Sequence, residues 1–146
     1  EFNVRFGDPE TQVLMPITGG DFGDALDGAA RGALDPRALA PNGEHALCVV
    51  LAAPGYPEAP RAGAAITGLG AAAGLEGVRV LHAGTALRGD SVVTSGGRVL
   101  GVTAHGTSLE AAHACAYAAI ERIHFEGMQY RRDIGGRALG TSPDRA

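Results

Sequence analysis

The first six residues alternate strictly between polar and apolar side chains. The polar positions are Glu1, Asn3 and Arg5. A period of two is typical of a β-strand with one buried face, so these three side chains are predicted to share the other face. On spacing alone, the pattern more often means only a sheet with one solvated face.

This strand is predicted to run directly into a helix. Asp8 is expected as the N-cap, Pro9 as the first helical residue, and Glu10 in the first turn, where a carboxylate favours the helix dipole. The helix should cover residues 10–17 and be ended by Pro16.

A second helix and then a boundary follow. Asp21 is the predicted N-cap of a helix that reaches Ala33, along which small apolar residues recur at helical spacing. Two prolines and an Asn-Gly pair break the periodicity within residues 35–43, which marks a candidate domain boundary. The apolar run 46–53 then predicts a strand, ended by the Pro-Gly-Tyr-Pro turn of residues 54–57.

The rest of the pattern predicts a β-rich unit with one long helix. Residues 78–82, 91–94 and 98–104 are expected as strands, the last two joined as a hairpin through residues 95–97. Residues 58–77 are rich in Ala and Gly, and this composition leaves their secondary structure open.

The clearest helix signal is the capping-box sequence that begins at Thr107 and places Glu110 three residues later. The apolar stripe of this helix is formed by Leu109, Ala112, His113, Ala116, Ile120 and Ile123. Because His113 lies within the stripe, it is interpreted as a partly buried side chain with a hydrogen-bond partner rather than as a catalytic base.

Composition excludes some classes of function. The formal net charge of −4 and the sequence pI near 5.7 argue against non-specific nucleic-acid binding, which requires a basic surface. No apolar run is long enough to span a bilayer, so no membrane partner is expected. All 12 basic residues are arginines, so any lysine required by a nucleotide site must lie outside these 146 residues.

The two cysteines indicate a reducing compartment. Cys48 lies in an apolar strand and Cys115 in an Ala-rich helix, and neither has the sequence neighbours of a reactive thiol. We expect two reduced, buried thiols in a cytoplasmic protein.

The polar face of the first strand has the donor types of a cation site. The carboxylate of Glu1 and the amide oxygen of Asn3 would lie about 7 Å apart along a strand, and both are ligands that Mg²⁺ accepts beside phosphate. Arg5 lies one step further along this face, where a guanidinium can neutralise phosphate or acyl-phosphate oxygens.

Four segments resemble one family. The opening string EFNVRFGDPETQ, residues 1–12, is similar to the motif that closes the ATP-grasp domain of the phosphoribosylamine-glycine ligases, also called glycinamide ribonucleotide synthetases. Residues 81–87, 93–104 and 125–135 resemble the C-terminal domain of that family, in the same order. The resemblance covers nearly the whole chain.

The resemblance implies an α/β (α+β) fold with two parts. Residues 1–36 would be the closing strand and helices of an ATP-grasp domain, and residues 42–146 a small β-rich C-terminal domain with one long helix. The implied reaction joins glycine to 5-phosphoribosylamine with ATP as a substrate. Glu1 and Asn3 match the family's ligands for Mg²⁺ or Mn²⁺.

The resemblance also assigns roles to three further residues. Arg5 matches the cationic position of the motif, and Asp8 and Glu10 are expected to orient Arg5 or a substrate amine. The turns that contain His82 and Arg98 are expected to form walls of the substrate cleft.

Family members are roughly three times longer than this chain, so we expect a C-terminal fragment that is inactive without the N-terminal part of the enzyme. Two alternatives stay open. One is another ATP-grasp carboxylate-amine ligase, and the other is a non-catalytic domain that binds a partner protein.

Overall fold

The computed structural model describes residues 5–140. Its helices are α1 (Glu10–Ile17), α2 (Phe22–Ala30), α3 (Leu69–Ala73), α4 (Leu109–Ile120) and α5 (Gly136–Leu139), and a single 3-10 turn covers Pro36–Leu39. Its strands are β1 (His45–Ala52), β2 (Val78–His82), β3 (Thr85–Arg88), β4 (Ser91–Thr94) and β5 (Arg98–Gly106).

A three-stranded antiparallel sheet in the order β1-β5-β2 is the centre of the fold. β5 is the middle strand, and its residues are buried from Val99 to Ala104. Val102 pairs with Val49 on one side and with Val80 on the other, which fixes the register of both neighbours. Because strand side chains alternate, this register gives the sheet two distinct faces.

Helix α4 packs on one face of this sheet and α1 lies on the other. The α4 face contains the main core, with Phe125, Leu51, Leu100 and Ile120 among its largest fully buried side chains. The α1 face carries Cys48, Thr103 and the strand residues beside them. Every candidate site described below lies on this second face.

The predicted hairpin between residues 91–94 and 98–104 is wrong. β4 pairs with β3 in a separate two-stranded sheet, and the strand β3 was not predicted. Both edges of β5 are occupied by β1 and β2, so no edge of β5 is free for β4. The turn at residues 95–97 therefore carries the chain from one sheet to the other.

Two predicted helix starts are displaced by one residue. Pro9, not Asp8, is the N-cap of α1, and no side chain caps this helix. In α4 the cap is Ser108, whose side chain accepts a hydrogen bond from the Ala111 amide, and not Thr107. Asp8 does not cap because its carboxylate contacts other partners, described below.

The second helix has the predicted start and an earlier end. Asp21 is its N-cap and accepts hydrogen bonds from the amides of Gly23 and Asp24. The helix ends at Ala30 instead of Ala33, because Gly32 adopts a left-handed conformation with φ +71°. The predicted strands 46–53, 78–82, 91–94 and 98–104 are confirmed with ends shifted by at most two residues.

The predicted opening strand is described only in part, since residues 1–4 lie outside the described range. Arg5 and Phe6 are not in a strand. Arg5 donates a hydrogen bond from Nη1 to the Phe6 carbonyl, and the Phe6 ring packs on Phe22 with centroids 5.6 Å apart. No strand within residues 5–140 pairs with this segment, so the described part lacks a neighbour that would hold it extended. The tail from Thr141 also lies outside the described residues.

Candidate functional site

The predicted catalytic residues lie where the chain enters α1. Arg5 and Asp8 are exposed in the irregular segment before the helix, and Glu10 is its exposed first residue. The Glu10 carboxylate folds back over Gly7, so that a side chain at Gly7 would overlap its oxygens. Glu1 and Asn3, the predicted metal ligands, lie outside the described residues.

Asp8 joins this segment to the central sheet. Its carboxylate lies 3.4 Å from the Arg98 guanidinium, and its backbone carbonyl accepts a hydrogen bond of 3.2 Å from Arg98 Nη1. The other carboxylate oxygen accepts a hydrogen bond of 2.6 Å from Gln12 Nε2. Asp8 is therefore held from two sides, by an arginine of β5 and by an amide of α1.

Asp8 and Arg98 line a cavity of about 200 Å³ together with His82 and Ala83. His82 is the last residue of the edge strand β2, and its Nδ1 lies 3.0 Å from the Thr85 hydroxyl. The structure thus brings the two turns that were predicted to form cleft walls next to a predicted catalytic residue. It does so through tertiary packing, because Arg98 and Asp8 are 90 positions apart in the sequence.

Gly84, in the turn between β2 and β3, has no room for a side chain. An added Cβ would lie 2.6 Å from the Arg98 carbonyl oxygen and 2.7 Å from the Gly96 Cα. The Gly84 amide donates to that same carbonyl at 2.8 Å. The small residue therefore permits a close approach between two backbone segments of the protein.

A second cavity, of about 440 Å³, lies beside the first. It extends from Pro9 and Arg98 towards Tyr56, Tyr130 and Arg131. Its walls are largely apolar, and two arginines, two tyrosines and Gln129 supply the main polar groups, which is the usual composition of a small-molecule pocket.

Arg131 and Arg132 are adjacent in the sequence but have different partners. Arg131 forms a two-point pair with Asp133, from Nε to Oδ1 at 2.9 Å and from Nη2 to Oδ2 at 2.5 Å. The Arg131 guanidinium lowers the pKa of the Asp133 carboxyl from its usual value. Arg132 lies over the ring of Tyr130, 5.3 Å from its centroid, as in a cation–π contact.

Both cysteines are unpaired, as predicted, but the prediction that both are buried is wrong for Cys115, which is half-buried. Cys48 is buried on the α1 face of β1, and burial raises the pKa of its thiol. His113 is half-buried, and its ring packs on Tyr117 with centroids 4.6 Å apart. Residues 5–140 contain no group of three or more His, Cys, Asp or Glu side chains placed to hold a metal ion.

The Arg98–Asp8 contact is the feature of the candidate site that sequence reasoning missed. Arg98 was predicted as the start of a strand and as part of a cleft wall, and Asp8 as a helix cap that orients Arg5 or a substrate amine. Spacing gives no sign of a pair between two such distant positions. The resemblance placed both segments in one cleft, which was the available signal.

The fold is that of an α+β domain built on an antiparallel sheet, with the candidate site at the junction between the sheet and the chain's first helix. A family model described as "Phosphoribosylglycinamide synthetase, C domain" matches residues 46–137. The chain belongs to this family.

Curated relatives agree with this assignment. The phosphoribosylamine–glycine ligase of Synechocystis is 49% identical over 142 residues, which cover 95% of this chain and 33% of the relative. The enzyme of the same name from Streptomyces coelicolor is 47% identical over 144 residues, covering 97% of this chain and 35% of the relative. The chain therefore spans about a third of the length of the curated relatives it matches.

A solved structure gives the same result. The crystal structure of phosphoribosylamine–glycine ligase from Thermotoga maritima superposes with a TM-score of 0.78 at 42% sequence identity, covering 92% of this chain and 32% of that one. The predicted mixed α/β class and the resemblance stated above are confirmed. In the described part of the chain, no helix is long and apolar enough to cross a bilayer.

Proposed function

We propose that this chain forms the C-terminal part of an ATP-dependent ligase that joins glycine to 5-phosphoribosylamine in purine biosynthesis. The observation that carries the proposal is 49% identity over 95% of the chain to a relative named phosphoribosylamine–glycine ligase. The remaining two thirds of such an enzyme would be supplied by an N-terminal part. The assembled protein is called the complete ligase below.

The proposed reaction has two chemical steps. The carboxylate of glycine attacks the γ-phosphorus of ATP, which releases ADP and forms glycyl phosphate. The amine of 5-phosphoribosylamine then attacks the acyl carbon. Phosphate leaves, the amine loses a proton, and glycinamide ribonucleotide is formed. Phosphoryl transfer depends mainly on positioning and charge neutralisation, so fixed charges are the chief requirement for the first step.

The residues before α1 have charges suited to that requirement. Arg5 is exposed and can offer its guanidinium to phosphate oxygens. Asp8 and Glu10, on the same segment, are proposed to orient Arg5 or the attacking amine. The contacts from Arg98 and Gln12 fix the position of Asp8, which supports an orienting role.

A divalent cation is part of the proposal. Glu1 and Asn3 would hold Mg²⁺ or Mn²⁺ through a carboxylate and an amide oxygen, the donors that such hard cations take. When bound, the cation would neutralise charge on the nucleotide phosphates. The assignment of Glu1 and Asn3 as ligands depends on the EFNVRF motif, since both residues lie outside the described range.

We also propose the division of the chain into residues 1–36, which complete an ATP-grasp domain, and residues 42–146, which form the C-terminal domain. A cytoplasmic location is proposed as well. The two unpaired cysteines are consistent with a reducing compartment.

Substitution of the proposed metal ligands in the complete ligase tests the function. Glu1→Gln or Asn3→Ala should abolish ADP release that depends on both glycine and 5-phosphoribosylamine, while the unfolding midpoint stays close to that of the parent. Glu58→Gln is the matched control, because Glu58 is an exposed glutamate outside the EFNVRF motif, and the activity of this variant should be unchanged. Normal turnover of either metal-ligand variant would remove the metal assignment. A parent enzyme without this activity would remove the proposed function itself.

A further inference from the structure

A third cavity adjoins the first, with which it shares Gln12 and Leu81, and lies between α1 and the central sheet. Its volume is about 420 Å³. Met15, Pro16 and Leu81 give it apolar walls, and Gln12, Arg79 and Thr103 supply its main polar groups. We call it the Thr103 cavity.

Two buried polar atoms at this cavity lack hydrogen-bond partners within the described residues. They are the Thr103 hydroxyl oxygen and the Gln12 side-chain carbonyl oxygen. Thr103 is 2% exposed, and it lines the cavity from the middle of β5. The Cys48 thiol lies opposite Thr103 in the register of β1 and β5; burial raises its pKa, against a smaller opposing effect of Thr103, and the two side chains do not meet hydrogen-bond geometry.

An unpaired buried polar group is costly, and native proteins nearly always satisfy such groups with protein, water or a ligand. A single water occupies about 30 Å³ of liquid volume. The Thr103 cavity is much larger than this, and it falls in the size range of small-molecule sites. Its dimensions and its unsatisfied atoms thus point to an occupant larger than one water.

Arg79 determines the charge of that occupant. It is paired with Thr103 in the register of β2 and β5, so the two side chains lie side by side on the α1 face. Within residues 5–140 no carboxylate forms an ion pair with Arg79. The guanidinium and the Thr103 hydroxyl can both donate to an anion.

Gln12 supplies the complementary acceptor. Its amide orientation follows from Asp8, because Nε2 donates to the Asp8 carboxylate at 2.6 Å and the flipped amide would place oxygen against oxygen. The carbonyl oxygen of Gln12 therefore faces away from Asp8 as a free acceptor. A ligand group bound to it must be a donor, such as a hydroxyl or an ammonium.

We propose that the Thr103 cavity binds a small anion that also carries a hydroxyl or ammonium group. Arg79 and Thr103 hold the anionic group, which is a phosphate monoester or a carboxylate, and Gln12 accepts a hydrogen bond from the donor. Because Gln12 also donates a hydrogen bond to Asp8, an occupant that binds Gln12 also restrains the Asp8 side chain.

The test is direct binding to the 146-residue chain, which needs neither ATP nor turnover and so is independent of the proposed ligase activity. Inorganic phosphate, ribose 5-phosphate and glycine are titrated separately, with calorimetry for affinity and amide NMR for location. At least one probe should bind with one-to-one saturation and shift the signals of Arg79, Thr103 and the Gln12 side-chain amide. Binding of the two phosphates alone identifies a phosphate site, and binding of glycine alone identifies a carboxylate site.

Variants separate this site from general anion attraction. Arg79→Gln should weaken binding by about tenfold or more, since it removes a charge-assisted contact. Arg88→Gln, an equal change of charge on the exposed β3–β4 hairpin, should leave the affinity unchanged. Thr103→Val keeps the side-chain shape and should also weaken binding, with its fold checked by the same NMR spectra.

Two results would overturn the proposal. One is that none of the three probes saturates the chain at millimolar concentration, which would mean that the cavity holds only water. The other is an equal loss of affinity in Arg79→Gln and Arg88→Gln, which would mean that the anion is attracted by surface charge in general.

Discussion

The ion pair between Arg98 and Asp8 contributes more to position than to stability. Both side chains are nearly half exposed, at 45% and 47%. Exposed pairs of this kind are worth only about 0.2–1 kcal/mol. Yet Arg98 contacts both the carboxylate and the backbone carbonyl of Asp8, so its removal leaves Asp8 held, within residues 5–140, only by the hydrogen bond from Gln12.

We therefore expect Arg98→Gln to lower kcat of the complete ligase by about tenfold to a hundredfold, as for other small displacements of catalytic groups. The free energy of unfolding should fall by no more than about 1 kcal/mol. Steady-state kinetics and urea unfolding measure the two effects. Arg88→Gln is the control with the same loss of charge.

A double-mutant cycle tests whether Arg98 acts through Asp8. Asp8→Asn should also lower kcat, and adding Arg98→Gln to that variant should cost little more. Fully additive losses would show that Arg98 affects turnover by another route, and the positioning role would then be rejected.

The Cys48 thiol makes stability depend on pH in the alkaline range. Burial raises its pKa in the folded chain, so the folded state holds the proton more tightly than the unfolded state. The contribution to stability is present in full below the unfolded pKa of about 8.5, and it is lost as the pH rises from there towards the folded pKa.

Urea unfolding between pH 7.5 and 9.5 should thus give a declining free energy of unfolding. Cys48→Ala should make that decline shallower, although the variant is less stable at neutral pH because it leaves a small cavity. Cys115→Ala, at a half-buried position, is the control and should keep the parent slope. Equal slopes for the parent and Cys48→Ala would contradict the assignment of the decline to this thiol.

At the scale of elements, the sequence predicted best those helices and strands that have strong local signals. The apolar runs of β1 and β5 are buried along most of their length, and a strand of that kind has few alternatives. The Asp21 cap likewise depends on a side chain and two amides that are close in sequence. Elements with such local causes were predicted within a few residues.

The errors in the predicted elements arise where tertiary contacts determine the structure. Nothing within residues 85–98 reveals that the edges of β5 are already occupied, so the wrong strand was assigned as the partner of β4. Asp8 has the composition of a cap, but it bonds to Gln12 and Arg98 instead. The Thr103 cavity has no sequence signature, because its polar groups come from α1, β2 and β5.

The join between the two sheets depends on the lack of a side chain at Gly84. The Cβ of Gly84→Ala would meet backbone atoms of Gly96 and Arg98, and backbone cannot move as a flexible side chain can. We expect a loss of about 1–3 kcal/mol in the free energy of unfolding, as for other overpacked sites. Urea unfolding of the chain is the measurement.

Gly70→Ala is the matched control for that prediction. Gly70 lies within α3, and an added Cβ would meet nothing within 4 Å. Alanine is a better helix former than glycine, so this variant should be unchanged or more stable by up to about 1 kcal/mol. If Gly84→Ala were equally harmless, the two sheets would have to be less closely joined than the structure describes.

At the scale of the whole molecule, exposed apolar side chains are concentrated in the segment before the matched C domain. Within residues 5–140, five of the eight large hydrophobic residues that are exposed lie there: Phe6, Leu14, Met15, Leu26 and Leu34. The family model begins only at residue 46. In the complete ligase proposed above, these side chains are expected to pack against the preceding part of the enzyme, since such concentrations of apolar surface mark interfaces.

This expectation predicts opposite effects of one change in two proteins. Leu14→Gln combined with Leu26→Gln should reduce self-association of the 146-residue chain, because it removes apolar surface from water-exposed positions. The same pair should destabilise the complete ligase, where those positions would be buried, by about 1.5–3 kcal/mol for each leucine at full burial. Sedimentation velocity measures the first effect and urea unfolding the second.

Leu87→Gln is the control, because Leu87 is 75% exposed on the separate β3–β4 hairpin. If the paired substitutions leave the complete ligase as stable as Leu87→Gln does, this surface is solvent-facing in the enzyme, and the N-terminal part must join the chain through another face.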